Sequence, residues 1–224
     1  MKKKKLCTAL TVLLSFCFLI NNNIESKAET FEISKIITIT PETATFDDYT
    51  YFPQMYMQDF AGVKMPNGED VSKSGNLLME LCIIDNELGK GFDGPDDSVI
   101  TPEIFIEKYP NIFLENGNID VNAYASLIGS YTPEGEEFDL DKVAQYLTEP
   151  YEVGILTYIP NPSIYGMDST YLLITGLNNG RCIVRDVNKN NLPLATIDEE
   201  IGYHYYNLAD VVTAVGTRGR IWVF

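Results

Sequence analysis

The spacing of apolar residues changes near residue 150. Before it the longer apolar runs have helical length and spacing, and after it they are short and strand-like. An early exception is KIITIT (Lys35 to Thr40), which alternates like an edge or half-buried strand. PETATFDDY follows as an entry loop, and TYFPQMY is extended because Pro53 disfavours helix at Phe52. Residues 57–73 are rich in Gly, Pro, Asn and Asp and read as loop. SGNLLMELCIIDNELG then carries Leu77, Leu78, Met79, Leu81, Cys82, Ile83 and Ile84 on nearly every face. That pattern predicts a buried helix ending near Gly89.

An acidic loop, GFDGPDDS, leads to Thr101-Pro102-Glu103, whose cap, first-turn proline and acid start a short helix. Asp120 and Gly129 bracket a third helix, VNAYASLI, and Asp139 caps a fourth, LDKVAQYLT, stopped by Pro150. EVGILTYI is a strand, followed by the loop PNPSIYGMD. TYLLITGLNNGRCIVRD then reads as a hairpin, with Asn178-Asn179-Gly180 as its left-handed turn. YHYY is a strand, NLADVVTAV a short helix and RIWVF a final strand. Helices first and antiparallel strands later predict an α+β domain, with a central buried helix packed on an antiparallel sheet.

The first 28 residues have a different purpose. A Lys2–Lys5 head, an apolar run from Leu6 to Ile20 and a Ser26-Lys27-Ala28 cleavage pattern predict a secretory signal over 1–28. Its apolar run is short for a membrane span. The bulky Phe16 before Cys17 argues against lipid attachment. The chain then divides into an N-terminal strand and entry segment at 29–44 and a single domain at 45–224. The expected location is secreted or at the cell surface, without membrane insertion after cleavage. Losing the signal removes five basic residues and one acidic one, leaving 11 positive and 31 negative charges, a net of −20. Such a surface repels phosphate backbones, so nucleic acid is excluded as a partner; solubility accounts for most of the charge.

Cys82 and Cys182 remain in the mature chain, each inside an apolar run where cysteine packs as a small hydrophobe. A disulfide is allowed outside the cell, but one pair does not imply it. With one histidine and two separated cysteines, zinc has no ligand set. Asp93, Asp96 and Asp97 lack the ligand spacing of a dedicated calcium loop. Neither a metal nor another cofactor is expected.

Four motifs occur in order: Pro53-Gln54, Ser74-Gly75 opening the buried helix, Thr170-Tyr171-Leu172-Leu173-Ile174-Thr175-Gly176, and Arg185-Asp186-Val187. Together, over about residues 45 to 215, they resemble the secreted papain-fold family related to bacteriocin-processing, double-glycine-leader cysteine peptidases. ITPEIFIEKY and FDLDKVAQYL resemble that family's intervening helices. The resemblance implies a papain-like fold. It also implies an oxyanion-hole glutamine at Gln54, a nucleophile position at Ser74, a base position at Thr170 and an orienting acid at Asp186. Only Gln54 and Asp186 keep the family's residue. Serine stands where the family has cysteine, Asn76 replaces the following proline, and threonine stands where it has histidine.

Those departures decide the expected chemistry. Serine needs a base to take its proton, and a threonine hydroxyl has no useful basicity near neutral pH. His204, among tyrosines in GYHYYNL, reads as structural, and a solvated Asp168 is a poor base. Each position also has an ordinary role: Ser74 as a helix cap, Gln54 as a surface amide, Asp186 as a turn residue. The expected function is a catalytically inactive peptidase-like module binding extended peptide or protein segments in a cleft near Gln54, Ser74, Gly75, Asp168 and Thr170. The alternative is an active extracellular hydrolase using Ser74 with an unrecognised base.

Overall fold

A computed structural model of the chain describes residues 55–88, 99–148, 154–178, 180–198 and 203–224. The expectations for the signal, the 35–40 strand, Gln54, Asp93, Asp96 and Asp97 lie outside the described residues. Within them, Asp70 starts a short helix, α1 (Val71–Ser74), by accepting from the Ser72 N–H. One residue later comes α2 (Asn76–Glu87), the central helix expected from the apolar run. Every residue from Leu78 to Asn86 is buried, so this stretch has no solvent face.

The other helices begin and end where their caps predict. α3 (Pro102–Lys108) has its proline in the first turn, where no N–H is needed. α4 (Val121–Ile128) is capped by Asp120, which accepts from the Ala123 N–H, and stops at Gly129 with φ 78°. α5 (Leu140–Tyr146) is capped by Asp139 and α6 (Leu208–Val215) by Asn207. Among the described residues no helix is long and apolar enough to cross a membrane.

Among the described residues seven strands form one antiparallel sheet: β1 (Glu136–Glu137), β2 (Ile155–Ile159), β3 (Thr170–Asn178), β4 (Arg181–Arg185), β5 (Thr196–Asp198), β6 (Tyr203–Asn207) and β7 (Arg220–Val223). Their spatial order is β1-β7-β2-β3-β4-β6-β5. The expected hairpin joins β3 and β4, with Asn178 opposite Arg181 and Gly180 at φ 76°. The fold is therefore α+β.

Helices cover both faces of this sheet. Leu156, Leu173 and Trp222 join α2, α3 and α4 in one apolar cluster. Ile155, Leu172, Ile174 and Ile221 join α5 and α6 in the other. A strand buried on both sides has no polar face to alternate with, which is why TYLLI and CIV read as unbroken apolar runs. Each of these fully buried aliphatic side chains contributes about 1.5–3 kcal/mol by leaving water. The second helical layer is an addition to the expected helix-on-sheet arrangement.

Two further differences are local. Residues 57–73, expected as loop, contain a 3-10 turn at Met57–Phe60 as well as α1. β1 and β5, with two and three residues, are too short to carry a period. The sheet also separates the cysteines. Cys82 lies in the α2 cluster and Cys182 in the α5/α6 cluster, and both are free thiols.

Candidate functional site

The junction between α1 and α2 is built on one glycine. A side chain at Gly75 would bring its Cβ to 2.5 Å from the Val71 carbonyl oxygen, so only glycine allows the two helices to follow each other so closely. Gly75, rather than Ser74, occupies the N-cap position of α2. Ser74 ends α1 instead, exposed, with Oγ donating back to the Asp70 carbonyl at 3.4 Å. Asp70 itself accepts from Ser72 Oγ at 2.6 Å and pairs with Lys64, and these two contacts, Ser72 first, hold its carboxyl well below the usual range.

Asn76, the first residue of α2, reaches across to the sheet. Its Oδ1 accepts from the Tyr171 N–H at 2.7 Å, just past the end of β4, whose pairing with β3 reaches only to Leu173 opposite Arg185. The tip of the central helix therefore closes on the first residues of β3. The other half of the same amide is left over: Asn76 Nδ2 is buried and has no hydrogen-bond partner among the described residues.

Of the four positions taken from the resemblance, the three described ones, Ser74, Thr170 and Asp186, are arranged differently from a working triad. Thr170 pairs with Ile159, which packs in the α5/α6 cluster, so the Thr170 side chain is buried on the face away from α2. Tyr171 is the residue that faces α2, with Leu173 beyond it. Asp186 is buried just past β4, accepting from the Asn188 N–H at 2.7 Å, Asn191 Nδ2 at 2.9 Å and Tyr206 Oη at 2.7 Å. Burial pushes its carboxyl up, and those hydrogen bonds pull the other way. Asp168 is exposed in the loop before β3. Gln54 lies outside the described residues. What meets at the mouth is Asn76 and the main chain of Tyr171.

His204 is fully buried on β6, as a structural histidine would be. The Asp186 N–H lies 3.4 Å from its Nδ1, and Tyr56 Oη lies 3.3 Å from its Nε2. Burial lowers its pKa, against the opposing charge of Asp186. Among the described residues no group of three or more His, Cys, Asp or Glu side chains is arranged to hold a metal.

No protein-family model matches the chain, and no curated protein or solved structure matches it. Its chemistry is thus read from its own residues, two groups of which the sequence did not bring forward. The first is Glu80, fully buried in the middle of α2, whose carboxyl has no side-chain donor among the described residues and only the Val187 N–H acting on it from the main chain. Burial, reinforced by the nearby Asp186 charge, raises its pKa well above the usual value. An acid inside LLMELC is the only sign of it in the sequence.

The second is a row of side chains across the sheet. Tyr158 on β2 stands opposite Tyr171 on β3 and opposite Arg220 on β7, and Arg220 stands opposite Glu137 on β1. Cross-strand partners share a face, so this row lies on the α2 side of the sheet. The Tyr158 and Tyr171 ring centres are 5.3 Å apart and both rings are half-buried. Burial, with Tyr158 as a lesser cause, pushes the Tyr171 phenol up to about 12, so it stays a hydroxyl at any ordinary pH. Nothing in the sequence sets the three strand registers that assemble this row.

Proposed function

We propose that the chain is a catalytically inactive, peptidase-like binding module of papain-like fold, exported by its N-terminal signal and working at or outside the cell surface. Its partner is an extended peptide or protein segment. The observation that carries this reading is the 2.7 Å hydrogen bond from the Tyr171 N–H to Asn76 Oδ1, which closes the tip of α2 on the start of β3. That is the juxtaposition expected of a peptidase-like cleft, and the adjacency of β2, β3 and β4 supports the same topology. The state of three described positions supports the inactive reading. Ser74 Oγ is bonded to the Asp70 carbonyl, which cannot take a proton. Asp186 is engaged by three donors, and the threonine at the base position faces away.

The test compares the mature protein with Ser74→Ala in a mixed peptide digest followed by mass spectrometry. No cleavage is expected from either. Cleavage by the wild type that Ser74→Ala abolishes would replace this reading with that of a serine hydrolase.

A further inference from the structure

Resting on that cleft reading, we propose that the row from Asn76 through Tyr171 and Tyr158 to Arg220 is a recognition strip for an extended peptide carrying a carboxylate. Three observations on different elements point to the same occupant. Asn76 Nδ2 is a buried donor without a partner among the described residues, at one end of the strip. A buried amide N–H left unmet is costly, and a peptide carbonyl reaching it would recover that cost. The middle is two half-buried tyrosine rings whose hydroxyls make no hydrogen bond among the described residues, a surface apolar in body and polar at the tip.

The far end is Arg220, exposed on β7. Its Nη2 donates to the Glu134 carbonyl at 3.1 Å and the Gly135 carbonyl at 2.7 Å, which fixes the guanidinium without neutralising it. Gly135 is itself pressed against Trp222, where an added Cβ would lie 2.7 Å from the ring. Arg220 makes no ion pair among the described residues, even though Glu137 stands opposite it. A fixed guanidinium with no ion pair among the described residues matches a carboxylate, which one of its remaining N–H groups can hold.

Spacing sets the length of the peptide. β3, β2 and β7 are neighbours, so Tyr171 and Arg220 lie about 10 Å apart, or about three residues of extended chain. The carboxylate is therefore placed about three residues from the carbonyl that meets Asn76, as a side chain or as a chain end.

The experiment uses three fluorescein-labelled tetrapeptide pools, binding to the mature chain by fluorescence anisotropy. One pool ends in a free carboxylate, one is amidated, and one is amidated with a fixed Asp at its last position. At least one carboxylate pool is expected to bind tenfold or more tightly than the plain amidated pool; which one does so tells a chain end from an acidic side chain. Arg220→Gln should erase that preference, and Glu137→Gln should strengthen it several-fold, both with unchanged thermal melts. Equal binding of all three pools, lost in Asn76→Ala but kept in Arg220→Gln, overturns the carboxylate assignment and leaves the cleft. Binding of no pool overturns both.

Discussion

Glu80 and Asp85 are both fully buried acids on α2, but Asp85 accepts from Tyr109 Oη at 2.8 Å and Lys108 Nζ at 3.2 Å while Glu80 has no side-chain donor among the described residues and only the Val187 N–H acting on it. The contrast follows from direction along one helix. Asp85 points to the C-terminal end of α3, which supplies a cation and a phenol. Glu80 points to the end of β4, where the nearest charges are Asp186, which raises its pKa, and Arg185, which lowers it. Arg185 is already paired with Glu87 at 3.0 Å. A buried acid persists either by gathering donors or by keeping its proton, and α2 contains both solutions within two turns.

Replacing the partnered acid should have the largest effect. Asp85→Leu removes the bonds that the Tyr109 hydroxyl and Lys108 make to a buried carboxylate, a loss of about 2–3 kcal/mol in urea unfolding, moderated because Lys108 can swing towards water. An unchanged midpoint would mean that those two bonds contribute nothing. Replacing the other acid should act in the opposite direction. Glu80→Met keeps the volume, removes a buried carboxyl that no side chain among the described residues donates to, and should gain about 1–2 kcal/mol near neutral pH. Destabilisation by that change would show that the Val187 N–H bond outweighs the cost of burying the carboxyl.

The smallest effect is a slope. Glu80 holds its proton when folded above its usual value of 4.5, as does Glu87 by burial, so the folded chain binds protons that the unfolded chain has released. Their contribution is complete below that usual value and is lost as pH rises through the raised one. The stability gained by Glu80→Met should therefore grow between pH 5 and pH 8. A gain that stays constant with pH would mean that Glu80 is ionised throughout.

The same contrast marks the limit of what the sequence could convey. Helix α2 was legible because an apolar run on every face has one physical meaning, and the caps at Asp120 and Asp139 were legible because a cap acts within three residues. The hairpin followed from its turn. The site was much less legible. Ser74 was expected as a cap and Gly75 takes that position, because the close approach to Val71 depends on a helix, α1, of only four residues. That Tyr171 rather than Thr170 faces α2 is decided by the pairing of β3 with β2, and a shift of one residue would reverse it. Arg220 and Tyr158 become neighbours only through β7, more than 60 positions along the chain. Registers of that kind are long-range properties, which local spacing does not encode.

The two thiols on opposite sides of the sheet have a practical consequence. Burial raises the pKa of both, so each is closed to alkylating reagents while its own layer stays shut. Under native conditions, modification of Cys82 times the loosening of the α2 layer, and modification of Cys182 times that of the α5/α6 layer. Equal rates would describe a molecule that opens as one unit, and unequal rates would reveal which half lets go first. The chain thus carries a clock in each half.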